Sequence, residues 1–143
     1  MTTSIAGLSR SIAASLGSTG FSDEAGIGEA SHAVRVSTIG PQAYVDSGLT
    51  RAVLRGADYR AAEDISQRIT WTVSAWREAP RSLSYVYWPH LDRLGHEFGV
   101  GSQPWLDGLA AVDELVCRLV EAVAARPDDA VLVVTSDHGM VNT

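Results

Sequence analysis

Four residues of metal-ligating type fall in two tight pairs along the chain, Asp92 with His96 and Asp137 with His138. A carboxylate oxygen beside an imidazole nitrogen suits zinc, and suits manganese or iron with less preference. Asp92 and His96 are four residues apart, so in a helical turn or a compact loop both side chains can face one ion. Gly95 between them permits tight backbone approach. A surface aspartate and a satisfied loop histidine would produce the same D-x-x-G-H string, which on its own is a weak signal. Asp137 and His138 are adjacent and would point to opposite faces of a regular strand. In a turn that begins at Ser136 and relaxes at Gly139 they can splay toward one ion or bracket two. The plainer alternative there is a helix N-cap by Ser136 or Asp137.

Each pair directly follows a predicted strand. Leu83 to Trp88 is an apolar and aromatic run between Pro80 and Pro89 and reads as a buried strand. Ala130 to Thr135 is a second apolar strand candidate. Between them Trp105, Leu109, Val112, Val116, Leu119 and Val123 recur at three- and four-residue steps, which predicts an amphipathic helix ended by Pro127. Strand, helix and strand form a unit that builds a parallel sheet with a right-handed crossover. In such sheets the ligand crevice lies outside the carboxyl ends of the strands, so the two loops are expected to converge.

Upstream, Val34, Val36 and Ile39 predict a short strand that stops at Gly40-Pro41, followed by a loop with Gly48. The run from Asp58 to Ala79 puts Ala62, Ile65, Ile69, Thr72 and Trp76 at helical spacing, which predicts one long helix closed by Pro80. Residues 1–33 are rich in Ser, Gly, Ala and Thr without a period, and read as a loosely ordered lead-in. The fold class expected is α/β.

The string Val86-Tyr87-Trp88-Pro89-His90-Leu91-Asp92-Arg93-Leu94-Gly95-His96-Glu97-Phe98-Gly99 leads into a helix bearing Val112-Asp113. It is followed by Val133-Val134-Thr135-Ser136-Asp137-His138-Gly139-Met140. In order, spacing and strand context this resembles the type I phosphodiesterase/nucleotide pyrophosphatase family of the alkaline phosphatase superfamily, most closely from about Gly40 to Asn142. The resemblance implies an alkaline-phosphatase-like sandwich, a mostly parallel central sheet flanked by helices, of which residues 34–143 are a fragment. It implies two side-by-side zinc ions, with Asp92 and His96 on one and Asp137 and His138 on the other. It further implies hydrolysis of phosphodiesters by a metal-bound threonine and a covalent intermediate. The segments supplying that threonine and one metal-binding aspartate match nothing in residues 1–33, and the last metal-binding histidine is expected beyond Thr143. The isolated chain is therefore expected to be inactive, its nucleophile lying outside it.

Other residues carry weaker readings. His90 could add a ligand but reads as a loop residue near the site entrance, and His32 sits in the weak amino-terminal segment. Thr50 and Thr135 are hydroxyls without the context of a nucleophile. Asp113 reads as a solvated helix position, and Tyr87 and Trp88 as core packing rather than a base-stacking surface.

Composition sets the outer bounds. Hydrophobic residues make up 45% and charged residues 20% of the 143, which suits one folded domain rather than a disordered chain. A net charge of −6 offers no basic footprint for nucleic acid, and the partner that the family resemblance implies is a small phosphoester or nucleotide. The single Cys117 cannot form an internal disulfide and reads as a buried thiol. No apolar run reaches the roughly 18 residues of a bilayer span, and the start is a poor secretion signal, which leans toward the cytoplasm. Competing functions are another hydrolase or mutase of the same superfamily (phosphomonoesterase, sulfatase, phosphonate hydrolase) or a catalytically silent chain that folds with a partner polypeptide.

Overall fold

The computed structural model describes residues 34–126 and 129–141. The expectations for residues 1–33, for His32, and for Pro127 as a helix stop lie outside the described residues.

Among the described residues, strand β1 (Arg35–Gly40) is the middle of a three-stranded, wholly parallel sheet in the order β2-β1-β3. Strand β2 (Asp58–Ala61) pairs from Ser37↔Asp58 to Gly40↔Ala61, and β3 (Ser82–Val86) from Arg35↔Ser82 to Ile39↔Val86. Being flanked on both sides, β1 carries the buried centre: Ser37, Thr38 and Ile39 are at most 1% exposed. Parallel neighbours need crossovers, and helices supply them. Helix α1 (Gly48–Val53) lies between β1 and β2, and α2 (Ile65–Arg77) between β2 and β3. Helices α3 (His90–Phe98) and α4 (Gln103–Ala124) follow, with α4 packed on both α2 and α3. The helix-flanked parallel sheet is the expected α/β architecture.

Five expectations are corrected. The long helix from Asp58 is instead a strand and a shorter helix. Asp64 caps α2 by accepting a hydrogen bond from the Gln67 N–H at 2.7 Å, and the Gln67 side chain accepts from the N–H of Glu63, just before the cap, at 2.8 Å, so the helix starts at Ile65. Ala62 is therefore buried at the end of β2 rather than on a helix face. The loop around Gly48 is a helix, because Ser47 caps it by accepting from the Thr50 N–H at 3.1 Å.

Ala130 to Thr135 forms no strand. Its valines are 87%, 70% and 63% exposed at positions 131, 133 and 134, and it pairs with no ladder among the described residues. A preference for strand is a preference for a pleated, half-buried surface, and without a bonded neighbour nothing realises it. The run Leu83 to Trp88 does form β3, but Leu83 and Tyr85 are about two-fifths exposed, since β3 is an edge strand. Cys117 is exposed. The buried stripe of α4 runs through Leu115 and Leu119, and a residue two steps from each lies roughly 200° round the helix, on the far side.

Candidate metal centre

Asp92 and His96 sit one turn apart on the same face of α3, with Asp92 Oδ1 3.4 Å from His96 Nε2. Two features aim that face. Helix α3 begins directly after β3 and Pro89, at the carboxyl end of the sheet. It is then clamped to α4, where Gly108 leaves room for Leu94: a Cβ there would stand 2.6 Å from Leu94 Cδ1.

The segment carrying the second pair comes to the same rim. His138 Nε2 lies 3.3 Å from Asp92 Oδ1 and 3.8 Å from Asp137 Oδ1. The His96 and His138 rings are 6.5 Å apart between centroids, tilted by 56°. The four donors thus form a continuous line, His96 to Asp92 to His138 to Asp137, with Asp92 between both imidazoles. All four are exposed. Ser136 and Asp137 cap no helix among the described residues. An open cleft of about 560 Å³ borders the line, its lining including His96, His138, Phe98, Val100 and Met140.

Electrostatics follow from these contacts. His138 donates from Nδ1 to the Gly139 carbonyl at 3.0 Å, and this bond, followed by the charge of Asp137, raises its pKa above the usual histidine value. Burial raises the phenol of Tyr85, with Asp137 adding to the effect. Burial likewise raises that of Tyr87, to which Tyr44, Tyr85, Asp137 and Asp92 all contribute. The second pair therefore lies close enough to β3 for its charge to be felt at the strand's carboxyl end.

The model of the type I phosphodiesterase / nucleotide pyrophosphatase family matches residues 19–143. The chain belongs to that family. Comparison with characterised proteins found no match. Comparison with solved structures found none either.

Members of such a hydrolase family must hold phosphoesters, and the donor set can be tested against a divalent ion. With bonds of about 2.1 Å, neighbouring donors on a tetrahedral zinc stand about 3.4 Å apart. The 3.4 Å from Asp92 to His96 fits that spacing, and the 3.8 Å from Asp137 to His138 lies somewhat beyond it. Among the described residues, no three His, Cys, Asp or Glu side chains converge to complete a sphere by themselves. The donor chemistry suits a metal, and among the described residues the set is a partial one.

The remaining candidates stand apart. The His90 ring lies against Trp88, 5.1 Å between centroids, with Nδ1 buried and without a hydrogen-bond partner. Burial, with Arg68 and Arg93 nearby, lowers its pKa. Thr50 donates to the Tyr44 carbonyl at 2.6 Å, and Thr135 to the Ser136 carbonyl at 3.2 Å. Asp113 is exposed on α4. Tyr87 is 38% exposed and makes an edge contact with Tyr44, so it is only partly core.

Two residues of consequence have no signal in the sequence. Arg68 is fully buried on α2, donates to the Tyr87 carbonyl at 3.4 Å and to the Asp64 carbonyl at 3.3 Å, and covers the Trp88 ring at 4.4 Å. It braces the junction from which α3 starts. Met140 packs onto Gly95, a contact between segments 45 positions apart that no local pattern announces.

Proposed function

We propose that this chain supplies metal-binding residues for two-metal hydrolysis of phosphodiesters. Asp92 and His96 serve one divalent cation and Asp137 and His138 its neighbour, zinc being the ion that best suits these donors. The observation that supports the reading most directly is the 3.3 Å approach of His138 to Asp92. Two segments more than 40 residues apart bring an imidazole and a carboxylate into register, as adjoining ions would require. Such ions polarise phosphoryl oxygens and stabilise the attacking and leaving oxygens of the displacement. The protein's own part is to fix the donors: α3 holds Asp92 and His96 one turn apart, and the Gly139 carbonyl orients the His138 ring so that Nε2 faces Asp92. The bordering cleft offers room for a substituent of a small phosphoester.

The 143-residue chain by itself is proposed to turn over phosphodiesters negligibly. Both hydroxyls singled out by the sequence, Thr50 and Thr135, are engaged with backbone carbonyls, and the described donors complete no sphere. Zinc titration by calorimetry tests the metal reading. Uptake by the wild-type chain should weaken about tenfold or more in Asp92→Ala and Asp137→Ala, the usual range for losing a group at a metal site. No uptake above a denatured control would end it. Turnover of a chromogenic phosphodiester at ordinary enzyme rates, abolished by His138→Ala, would overturn the prediction of inactivity.

A further inference from the structure

The two halves of the site are held by different means. Asp92 and His96 stand on a helix clamped against α4, whereas residues 129–141 belong to no helix or ladder and most are exposed. The position of His138 then depends on side-chain contacts made near it. The closest along the chain is Met140, two residues on, whose side chain ends on the bare Cα of Gly95. A Cβ at Gly95 would stand 2.6 Å from both the sulfur and the terminal methyl of Met140, and 3.4 Å from Cδ1 of Trp105. The thioether therefore occupies a notch between α3 and α4 that exists only because residue 95 has no side chain. Gly95 is also buried and lies between Asp92 and His96 in sequence.

We propose that Met140 seated on Gly95 is the positioning contact that sets His138 against Asp92. The proposal rests on the metal-site reading for its functional meaning, but its geometry stands without an ion. Two residues of chain span at most about 7 Å, so a shift of Met140 is passed on to His138 rather than absorbed. Methionine suits the task, being unbranched, polarisable and able to fill an irregular gap. Gly95 has an ordinary helical backbone, as it is absent from the glycines with positive φ. An alanine there would satisfy the helix better than glycine does. Its tight contact would be with the Met140 side chain at 2.6 Å, the Trp105 edge at 3.4 Å being in ordinary van der Waals contact.

That opposition gives a test in which position and stability separate. Gly95→Ala, Met140→Ala, Met140→Leu and the Gly95→Ala/Met140→Ala pair would be compared in the whole chain. Readouts are the melting temperature without metal, the His138 ring resonances without metal, and zinc affinity by calorimetry. Gly95→Ala should keep or raise the melting temperature, shift the His138 resonances, and weaken zinc about tenfold or more. Met140→Leu should retain most of the affinity. The double variant should bind no worse than the weaker single one, since both remove the same contact. Unmoved His138 resonances in Gly95→Ala, or losses in the two single variants that add in the double, would overturn the proposal. A wild-type chain that takes up no zinc would remove the metal reading. In that case the His138 resonances of Gly95→Ala still decide the positioning role.

Discussion

Arg68 is a cation buried with no carboxylate partner, and replacing it separates the energy of its charge from that of its volume. It is fully removed from solvent and makes no ion pair among the described residues, although the charges of Glu63 and Asp64 act on it against the larger effect of burial. Nη2 has no hydrogen-bond partner, and burial lowers its pKa. Burying an ion costs several kcal/mol even after relaxation. Against this stand two long hydrogen bonds, to the Tyr87 and Asp64 carbonyls at 3.4 and 3.3 Å, and the stacking on Trp88 at 4.4 Å. At about 1 kcal/mol for each bond and about 2 kcal/mol for a desolvated cation–π contact, the favourable side reaches roughly 4 kcal/mol. The two sides nearly cancel. Arg68→Met keeps the length and apolar volume of the stem and removes the charge, so its unfolding free energy should stay within about 1.5 kcal/mol of wild type. Arg68→Ala removes the volume as well and leaves a cavity between α2 and β3, which should cost a further 2 to 5 kcal/mol or so. Urea unfolding followed by tryptophan fluorescence and by circular dichroism measures both. A methionine variant as unstable as the alanine variant would refute the reasoning, and would mean that the guanidinium bonds, rather than packing, hold the β3–α3 junction.

Two further outcomes follow from local geometry. His138 has its pKa raised by the Gly139 carbonyl and then by Asp137, so protons compete with a metal for Nε2 at higher pH than for an ordinary histidine. Zinc affinity measured against pH should begin to fall above the usual histidine value, and Asp137→Asn should move that onset downward; an onset at or below the usual value contradicts it. Any stabilisation from His138 itself has the sign of a raised group, present at low pH and lost as pH rises through the folded value. Cys117 is exposed on α4, so a thiol reagent should titrate one cysteine in the native chain at the rate of an accessible thiol. Reaction only after unfolding would place it in the core.

The parts of the fold that could be read in advance are those whose cause is local. Val34 to Ile39 and Leu83 to Trp88 are short apolar runs closed by proline or Gly-Pro, and both are strands. The Trp105 to Val123 periodicity is a helix because a 3.6-residue stripe needs no partner to be visible. The start of α2 does carry a local signal, an Asp at 64 with Gln three residues on, but it lies inside a longer helical spacing. Apolar spacing across residues 58–64 outweighed it. The apolar run at 130–135 misled for the opposite reason: a helix bonds within itself, whereas a strand exists only beside another. At the site, the pairing of Asp92 with His96 follows from four-residue spacing. The closer approach of His138 to Asp92 than to its neighbour Asp137 depends on how the second segment is draped, which spacing does not encode.

The unequal support of the two pairs bears on what binding would measure. Only five hydrophobic residues are buried in the described core, Ile39, Ala62, Ala75, Leu115 and Leu119, and none belongs to residues 129–141. That segment contributes Val134 to a groove with Leu106, Leu109, Val112 and Val116 of α4, where Leu106 and Leu109 remain two-fifths or more exposed. Its attachment energy is therefore small, and fixing its backbone costs roughly 1 to 2 kcal/mol per residue. An ion held by Asp137 and His138 beside the one on α3 would repay part of that ordering from its own binding energy. Observed affinity would then fall short of what the donors alone could give. Changes that strengthen the attachment without touching a donor, such as filling the Val134 groove, should accordingly tighten zinc binding. Equal changes within α3 away from the Gly95 notch should leave it nearly unmoved, because the α3 donors are already held in register.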